Sequence, residues 1–235
     1  MGQMGNLTLL YYTANVIKDL CAEKVRARLL AVAGDAPIIS VSQKPLDFGH
    51  NICVGQIGQS HYNCYKQIYI GAQAVRTQYV ACCEDDTLYT EEHFSHRPSA
   101  DDVFAYNVNM WYIDDHHFWQ KQEANDTGMC MCIAPTELLV NTLAPRFEMY
   151  PNPPVSNDRH TQRYWQEPGR FDRKFGIPNA KIEYFRTRTP MLVFNHRGSL
   201  GGKRGSWAHP RTFIGFFPEW GNARTLRSEF WGTPP

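Results

Sequence analysis

A chain of 235 residues, 43% hydrophobic and 20% charged with a net charge of +1, has the ordinary balance of a globular protein and the length to bury one sizeable core. No stretch reaches the roughly 20 apolar residues that span a bilayer, and the start, Met1-Gly2-Gln3-Met4-Gly5-Asn6, carries neither a basic signal region nor a Ser or Thr placed for myristoylation. Seven cysteines, an odd number lying partly inside apolar runs, read as free thiols of a reducing compartment, so a cytoplasmic location and no membrane are expected. The Cys130-Met131-Cys132 spacing has no second Cys/His pair and does not make a zinc finger.

Leu7-Thr8-Leu9-Leu10-Tyr11-Tyr12 is a short apolar run of β-prone residues and predicts a first buried strand. It ends at Thr13-Ala14-Asn15 and gives way to a helix-like stretch from Val16 to about Ala33, then to a second strand over Pro37–Ser42. Strand, helix, strand in that order implies a parallel sheet with a right-handed crossover. Gln43 to Gly58, rich in Gly, Pro and Asn, reads as loop. Ser60 caps a helix on which Tyr65, Ile68, Ala72 and Val75 recur at helical spacing. A third strand, Tyr79–Cys83, runs straight into Glu84-Asp85-Asp86, and a further strand is expected over about Val103–Tyr112.

Gly128 precedes an apolar run from Met129 to Ala134, and Pro135-Thr136 opens a short helix towards Leu143. Tyr150-Pro151-Asn152-Pro153-Pro154 is a linker within a single domain of 1–235, and there the charge changes sign. Residues 1–150 hold 10 Lys/Arg against 17 Asp/Glu, a net of −7, and residues 151–235 hold 14 against 6, a net of +8. The basic half suits phosphates or nucleic acid; matching of charge between the halves explains it equally. A late strand over Pro190–Phe194 feeds Asn195-His196 and a Gly-rich basic loop to Gly205, and the remainder reads as irregular and aromatic.

The acidic cluster carries the chemistry. Ligands of a parallel α/β sheet bind at the C-terminal strand ends, where this strand delivers its carboxylates. Glu84 and Asp86 alternate, so both can reach one divalent cation, while Asp85 turns towards a ribose or a backbone amide. Hard oxygen ligands suit Mg²⁺ or Mn²⁺, which bridge a diphosphate and neutralise departing charge. The alternative is a solvated acidic turn, in which three adjacent like charges repel.

A parallel α/β start, an amphipathic helix and an apolar strand ending in an Asp-x-Asp-like motif resemble the nucleotide-sugar half of GT-A glycosyltransferases over residues 6–90. Glu84 stands where the family's first Asp is usual. The resemblance implies an α/β, Rossmann-like, mainly parallel sheet with a basic acceptor-binding elaboration. It implies that Tyr12, Thr13 and Asn15 hold the base and ribose of a nucleotide-sugar, UDP-glucose by default. It places Lys66 near the donor phosphates and His196 in the metal shell; the glycines of the following loop let phosphate approach closely, while Arg197, Lys203 and Arg204 supply charge. It gives a candidate base in Glu167, from Trp165-Gln166-Glu167, with Glu148 and Asp158 as others.

The whole chain is also similar to the compact TET/JBP-associated glycosyltransferases of viruses and fungi and to the base J glucosyltransferases. Arg163, Arg170, Arg173, Lys174, Lys181, Arg186 and Arg188, interleaved with aromatics, fit that likeness, which makes DNA with a 5-hydroxymethyl-pyrimidine the expected acceptor, its base flipped out. A transferase acting on a protein or saccharide is the neighbouring reading. A metal-dependent nuclease or nucleotidyltransferase, and an inert nucleic-acid binder, are those of other classes.

Overall fold

The computed structural model describes residues 5–121, 127–153, 165–196 and 211–232. Strand β1 (Leu7–Thr13) is buried at every position. It lies between β2 (Ile38–Ser42) and β4 (Tyr79–Glu84), parallel to both, so neither face meets water and the run is apolar rather than alternating. Helix α1 (Asp19–Ala33) joins β1 to β2 and turns Cys21, Val25, Leu29 and Val32 inward, a one-turn spacing. Helix α2 (His61–Ala74) begins as read, with the Ser60 hydroxyl accepting the Asn63 amide at 3.1 Å.

The stretch read as loop from Gln43 to Gly58 contains a strand, β3 (His50–Cys53), parallel to β2 at the sheet edge. Its side chains are half-buried or exposed, so it has no apolar pattern to reveal it. The strand expected over Val103–Tyr112 is two: β6 (Val103–Asn107) and β7 (Met110–Ile113). The break is polar, the Asn109 amide donating to Asn107 Oδ1 at 3.0 Å, and the two pieces enter different sheets. Before β6 lie β5 (Thr87–Leu88) and helix α3 (Glu91–Ser95), and beyond β7 lie β8 (Phe118–Lys121), β9 (Cys132–Pro135) and helix α4 (Thr136–Met149). The second half supplies β10 (Lys181–Phe185), β11 (Met191–Phe194), β12 (Arg211–Ile214), β13 (Phe216–Phe217) and β14 (Gly221–Asn222). It also supplies helix α5 (Ala223–Trp231), where the sequence read as irregular.

The first sheet runs β10-β6-β9-β4-β1-β2-β3, parallel throughout except for β9. Its β3-β2-β1-β4 half has the order of an open doubly wound sheet, and the fold class is the α/β one expected. The second sheet runs β12-β8-β7-β11-β5. One apolar core lies around the first sheet, with α2 and α4. A smaller one joins α1 and α5 to the second sheet through Cys21, Val25, Phe118, Phe194 and Phe230.

Strands from the basic half thus complete both sheets, and part of the charge asymmetry is matched internally. Lys181 pairs with Asp102, and Arg227 Nε lies 3.2 Å from Asp115. All seven cysteines are free thiols. No helix among the described residues is long and apolar enough to cross a membrane.

Candidate active cleft

Parallel pairing of β1 with β4 brings Tyr12 opposite Glu84, so both strands end at one edge of the sheet. The Tyr12 hydroxyl donates to Glu84 Oε1 at 2.8 Å, and the Thr13 hydroxyl donates to the Asp85 carboxylate. Beneath them Gln67 of α2, buried, donates to the carbonyls of Thr13 at 2.8 Å and Val41 at 3.0 Å, fixing the ends of β1 and β2.

The chain then leaves the first sheet. Asp85 and Asp86 form the crossing to β5, which belongs to the second. There β11 pairs antiparallel to β5, with Val193 opposite Thr87, and the ladder extends to a Phe194 amide donating to the Asp86 carbonyl at 2.8 Å. This register sets His196 Nε2 3.2 Å from Asp86 Oδ2, across 110 residues of chain. The other Asp86 oxygen accepts the Thr87 hydroxyl at 3.1 Å.

These groups line a cleft of about 340 Å³, in the range of small-molecule sites. One wall is the Gly58–His61 turn at the start of α2; the other includes Met110 and Tyr112 of β7 and Val193 of β11. Cys64, Tyr65, Cys130 and Trp165 also line it, with Glu167 and Arg170.

Burial and then the charge of Asp86 push the Glu84 carboxyl up to about 8, against the Tyr12 hydrogen bond that lowers it. The same two causes, in the same order, push Asp85 up to about 7, opposed by Thr13. Three carboxyl groups, those of half-buried Glu84 and Asp85 and of buried Asp86, are thus held together with little positive charge to offset them, and a bound cation would reverse that balance. Among the described residues no three His, Cys, Asp or Glu side chains form a ready-made metal cage. The donor chemistry nevertheless fits Mg²⁺ or Mn²⁺, because such ions are commonly held by one or two protein ligands, with water and substrate phosphates completing the shell. Asp86 and His196 are the pair already in contact.

Of the residues singled out from the sequence, Tyr12, Thr13, Glu84, Asp85, Asp86, Glu167 and His196 line this one cleft. Of the donor, metal and base candidates, three others do not. Asn15 sits at a left-handed φ of 55°, its Oδ1 accepting the amides of Gln43 at 2.8 Å and Lys44 at 3.0 Å, so it shapes the loop beside the cleft. Lys66 places its ammonium 5.9 Å from the centre of the Tyr62 ring, and Glu148 is exposed near the end of α4. Asp158, Arg197, Lys203 and Arg204 lie outside the described residues.

The placement of Glu167 depends on residues the sequence reading did not single out. Arg146 of α4 and Asp172 are fully buried and paired at 2.6 Å. Arg146 also donates to the Gln166 carbonyl at 2.7 Å, while Asp172 accepts the amides of Gly169 at 2.6 Å and Ala180 at 2.9 Å. Segment 165–170 is thereby tied down over α4. The one hint was a charged residue on a helix between Leu143 and Phe147. Arg170, 3.7 Å from Glu167, brings a cation to the cleft.

No family model matches the chain, and no curated protein matches it. Three solved structures illustrate the fold likeness. TarS of S. aureus, residues 1–349 with UDP-GlcNAc, has 10% identity and a TM-score of 0.47 over 83% of this chain and 60% of that one. A glycosyltransferase involved in glycosylation of the PBCV-1 major capsid has 10% identity and a TM-score of 0.46 over 80% and 92%. The bifunctional IspDF of Campylobacter jejuni has 10% identity and a TM-score of 0.45 over 77% and 50%. The chain therefore spans only half of the C. jejuni structure and 60% of the S. aureus one. Likeness at this level does not extend to activity.

Proposed function

We propose that the chain is a divalent-metal-dependent glycosyltransferase of the GT-A type, moving a sugar from a nucleoside-diphosphate donor to a hydroxyl group. The observation that carries this reading is the meeting of Asp86 and His196 at 3.2 Å where β4 crosses between the two sheets, beside the half-buried carboxyls of Glu84 and Asp85. A Mg²⁺ or Mn²⁺ ion held by Asp86 and His196, with Glu84 beside them, would neutralise the diphosphate as it leaves. Tyr12, Thr13 and Asp85 form the nucleoside end of the cleft. Glu167 is the candidate base of choice because it lines the cleft whereas Glu148 does not. It takes the proton of the acceptor hydroxyl as that oxygen bonds to the anomeric carbon and the bond to the diphosphate breaks.

For the acceptor we retain the 5-hydroxymethyl-pyrimidine of DNA. The support is the basic second half, of which Arg186 and Arg188 stand exposed beside the exposed Tyr184, a mixture that suits phosphates and stacked bases.

A thermal-shift panel of UDP-, GDP- and CDP-sugars with Mn²⁺ tests the donor reading, since a ligand of the folded state raises its melting temperature. At least one nucleotide-sugar should stabilise the protein in a Mn²⁺-dependent manner; no response to any would end the transferase reading. Release of nucleoside diphosphate should then be stimulated by hydroxymethylated DNA and not by unmodified DNA. Equal release with both would remove DNA as the acceptor.

A further inference from the structure

His196 reaches Asp86 from just beyond the end of a strand. Strand β11 stops at Phe194, whose amide donates to the Asp86 carbonyl at 2.8 Å, and the Asn195 amide donates to the Ile113 carbonyl at 3.0 Å. Sheet pairing thus carries the chain as far as Asn195. The next peptide is the one that aims His196. A peptide unit is planar, so whatever holds its carbonyl oxygen sets the direction in which the following residue departs.

That oxygen is held by the last helix. Arg227 Nη2 of α5 donates to the Asn195 carbonyl at 3.1 Å, while Nε of the same guanidinium donates to Asp115 Oδ1 at 3.2 Å. The guanidinium lies 4.2 Å from the centre of the Trp231 ring and 5.6 Å from that of Phe194, and the side chain is only 11% exposed. Trp231, one turn further along α5, has its ring centre 5.4 Å from that of the His196 imidazole. The helix therefore meets His196 twice, at the backbone before it and at its ring.

The brace is itself anchored. Leu226 and Phe230 are buried in the smaller core, and Asn222 Oδ1 caps the helix by accepting the amides of Arg224 at 3.0 Å and Thr225 at 3.4 Å. Lys18 Nζ donates to the Trp231 carbonyl at 3.2 Å. Among the described residues that line the cleft, none belongs to α5.

Resting on the metal-dependent reading above, we infer that α5 positions the metal ligand His196: Arg227 sets the peptide that aims it, and Trp231 backs its imidazole. An arginine suits this place because its rigid fork donates in two directions at once, which a lysine ammonium on a flexible stem does less well. A ligand already held in position loses no side-chain freedom when the ion arrives.

The test titrates Mn²⁺ into the full chain, alone and with UDP, GDP or CDP, and reads binding by water-proton relaxation. The proteins are the wild type, Arg227→Met, His196→Ala and the double variant. Groups that orient metal ligands are worth about 10- to 100-fold in metal affinity, so Arg227→Met should bind Mn²⁺ about tenfold more weakly. In the His196→Ala background the same substitution should change nothing, because no imidazole is left to aim. A loss of equal size in both backgrounds is what a purely structural role would give, and it overturns the inference. Wild-type affinity in Arg227→Met overturns it too, and both results leave the metal site standing. A wild type that binds no Mn²⁺ under any of these conditions overturns the metal reading and the inference with it, as does a His196→Ala variant that binds the ion as tightly as the wild type. Should Arg227→Met not fold, Trp231→Ala takes its place in the same cycle, with the same expected loss and the same overturning results.

Discussion

Asp86 answers to two opposed demands. Its charge is the largest cause, after burial, of the raised protonation of both Glu84 and Asp85, so without a cation it strains the strand end that it occupies. With a cation it is the carboxylate already paired with an imidazole. Asp86→Asn keeps the shape and relieves the repulsion. Its melting temperature without metal should therefore match or exceed that of the wild type, by differential scanning calorimetry. Stabilisation by Mn²⁺ with nucleoside diphosphate should disappear, and transfer should fall by about 100-fold or more, the scale of a lost electrostatic contact to developing charge. A variant that still responds to Mn²⁺ as the wild type does would rule Asp86 out as a ligand.

At the scale of elements, α2 reaches the sheet because Gly71 has no side chain. A Cβ there would lie 2.2 Å from Leu10 Cδ1 and 2.8 Å from Val41 Cγ2, both on buried positions of central strands. Alanine favours a helix over glycine by about 1 kcal/mol, but overpacking a closed core costs about 1–3 kcal/mol. Steric crowding should win because Leu10 and Val41 are themselves enclosed. Gly71→Ala is expected to lose up to about 2 kcal/mol in chemical denaturation, the balance of those two effects. An unchanged or raised midpoint would show that α2 can lift off β1 and β2 without penalty. The same helix carries Gln67, which pins Thr13, and opens at the Gly58–His61 wall, so its seating also sets the width of the cleft.

For the molecule as a whole, acid stability reports on how its layers are closed. His93 of α3 is fully buried among the rings of Tyr89, Phe94 and Phe185, and its Nδ1 is 3.4 Å from Asn107 Nδ2. Burial first, and the nearby His96 second, push its pKa down to about 3. In the unfolded chain histidine titrates near 6.5. Between about pH 6.5 and pH 3 the unfolded state therefore holds the extra proton, and stability falls as pH falls through that window, by at most about 1.4 kcal/mol per pH unit. His93→Phe removes the titrating group and keeps a ring among rings. Its stability should decline less steeply over the same window in pH-dependent denaturation; an acid limb parallel to that of the wild type would mean that His93 gains its proton without unfolding.

What the residues declare locally is legible without a structure. The apolar run of β1, the Ser60 cap, the helical spacing of α2 and the delivery of Glu84-Asp85-Asp86 by an apolar strand all depend on neighbours within a few positions, and the sequence by itself determined them. Edge strand β3 escaped because half-exposed residues need no apolar period, and the break at Val108-Asn109 escaped because both pieces are equally β-prone. Only the tertiary structure decided that β4 passes from one sheet to the other at the acidic cluster and that β11 pairs with β5 in the register that sets His196 against Asp86. It likewise decided that Arg146 and Asp172 tie the Glu167 segment down beside the cleft. These contacts join residues far apart in the chain, and sheet register and core packing, which set their separation, leave no mark in the local spacing of either partner.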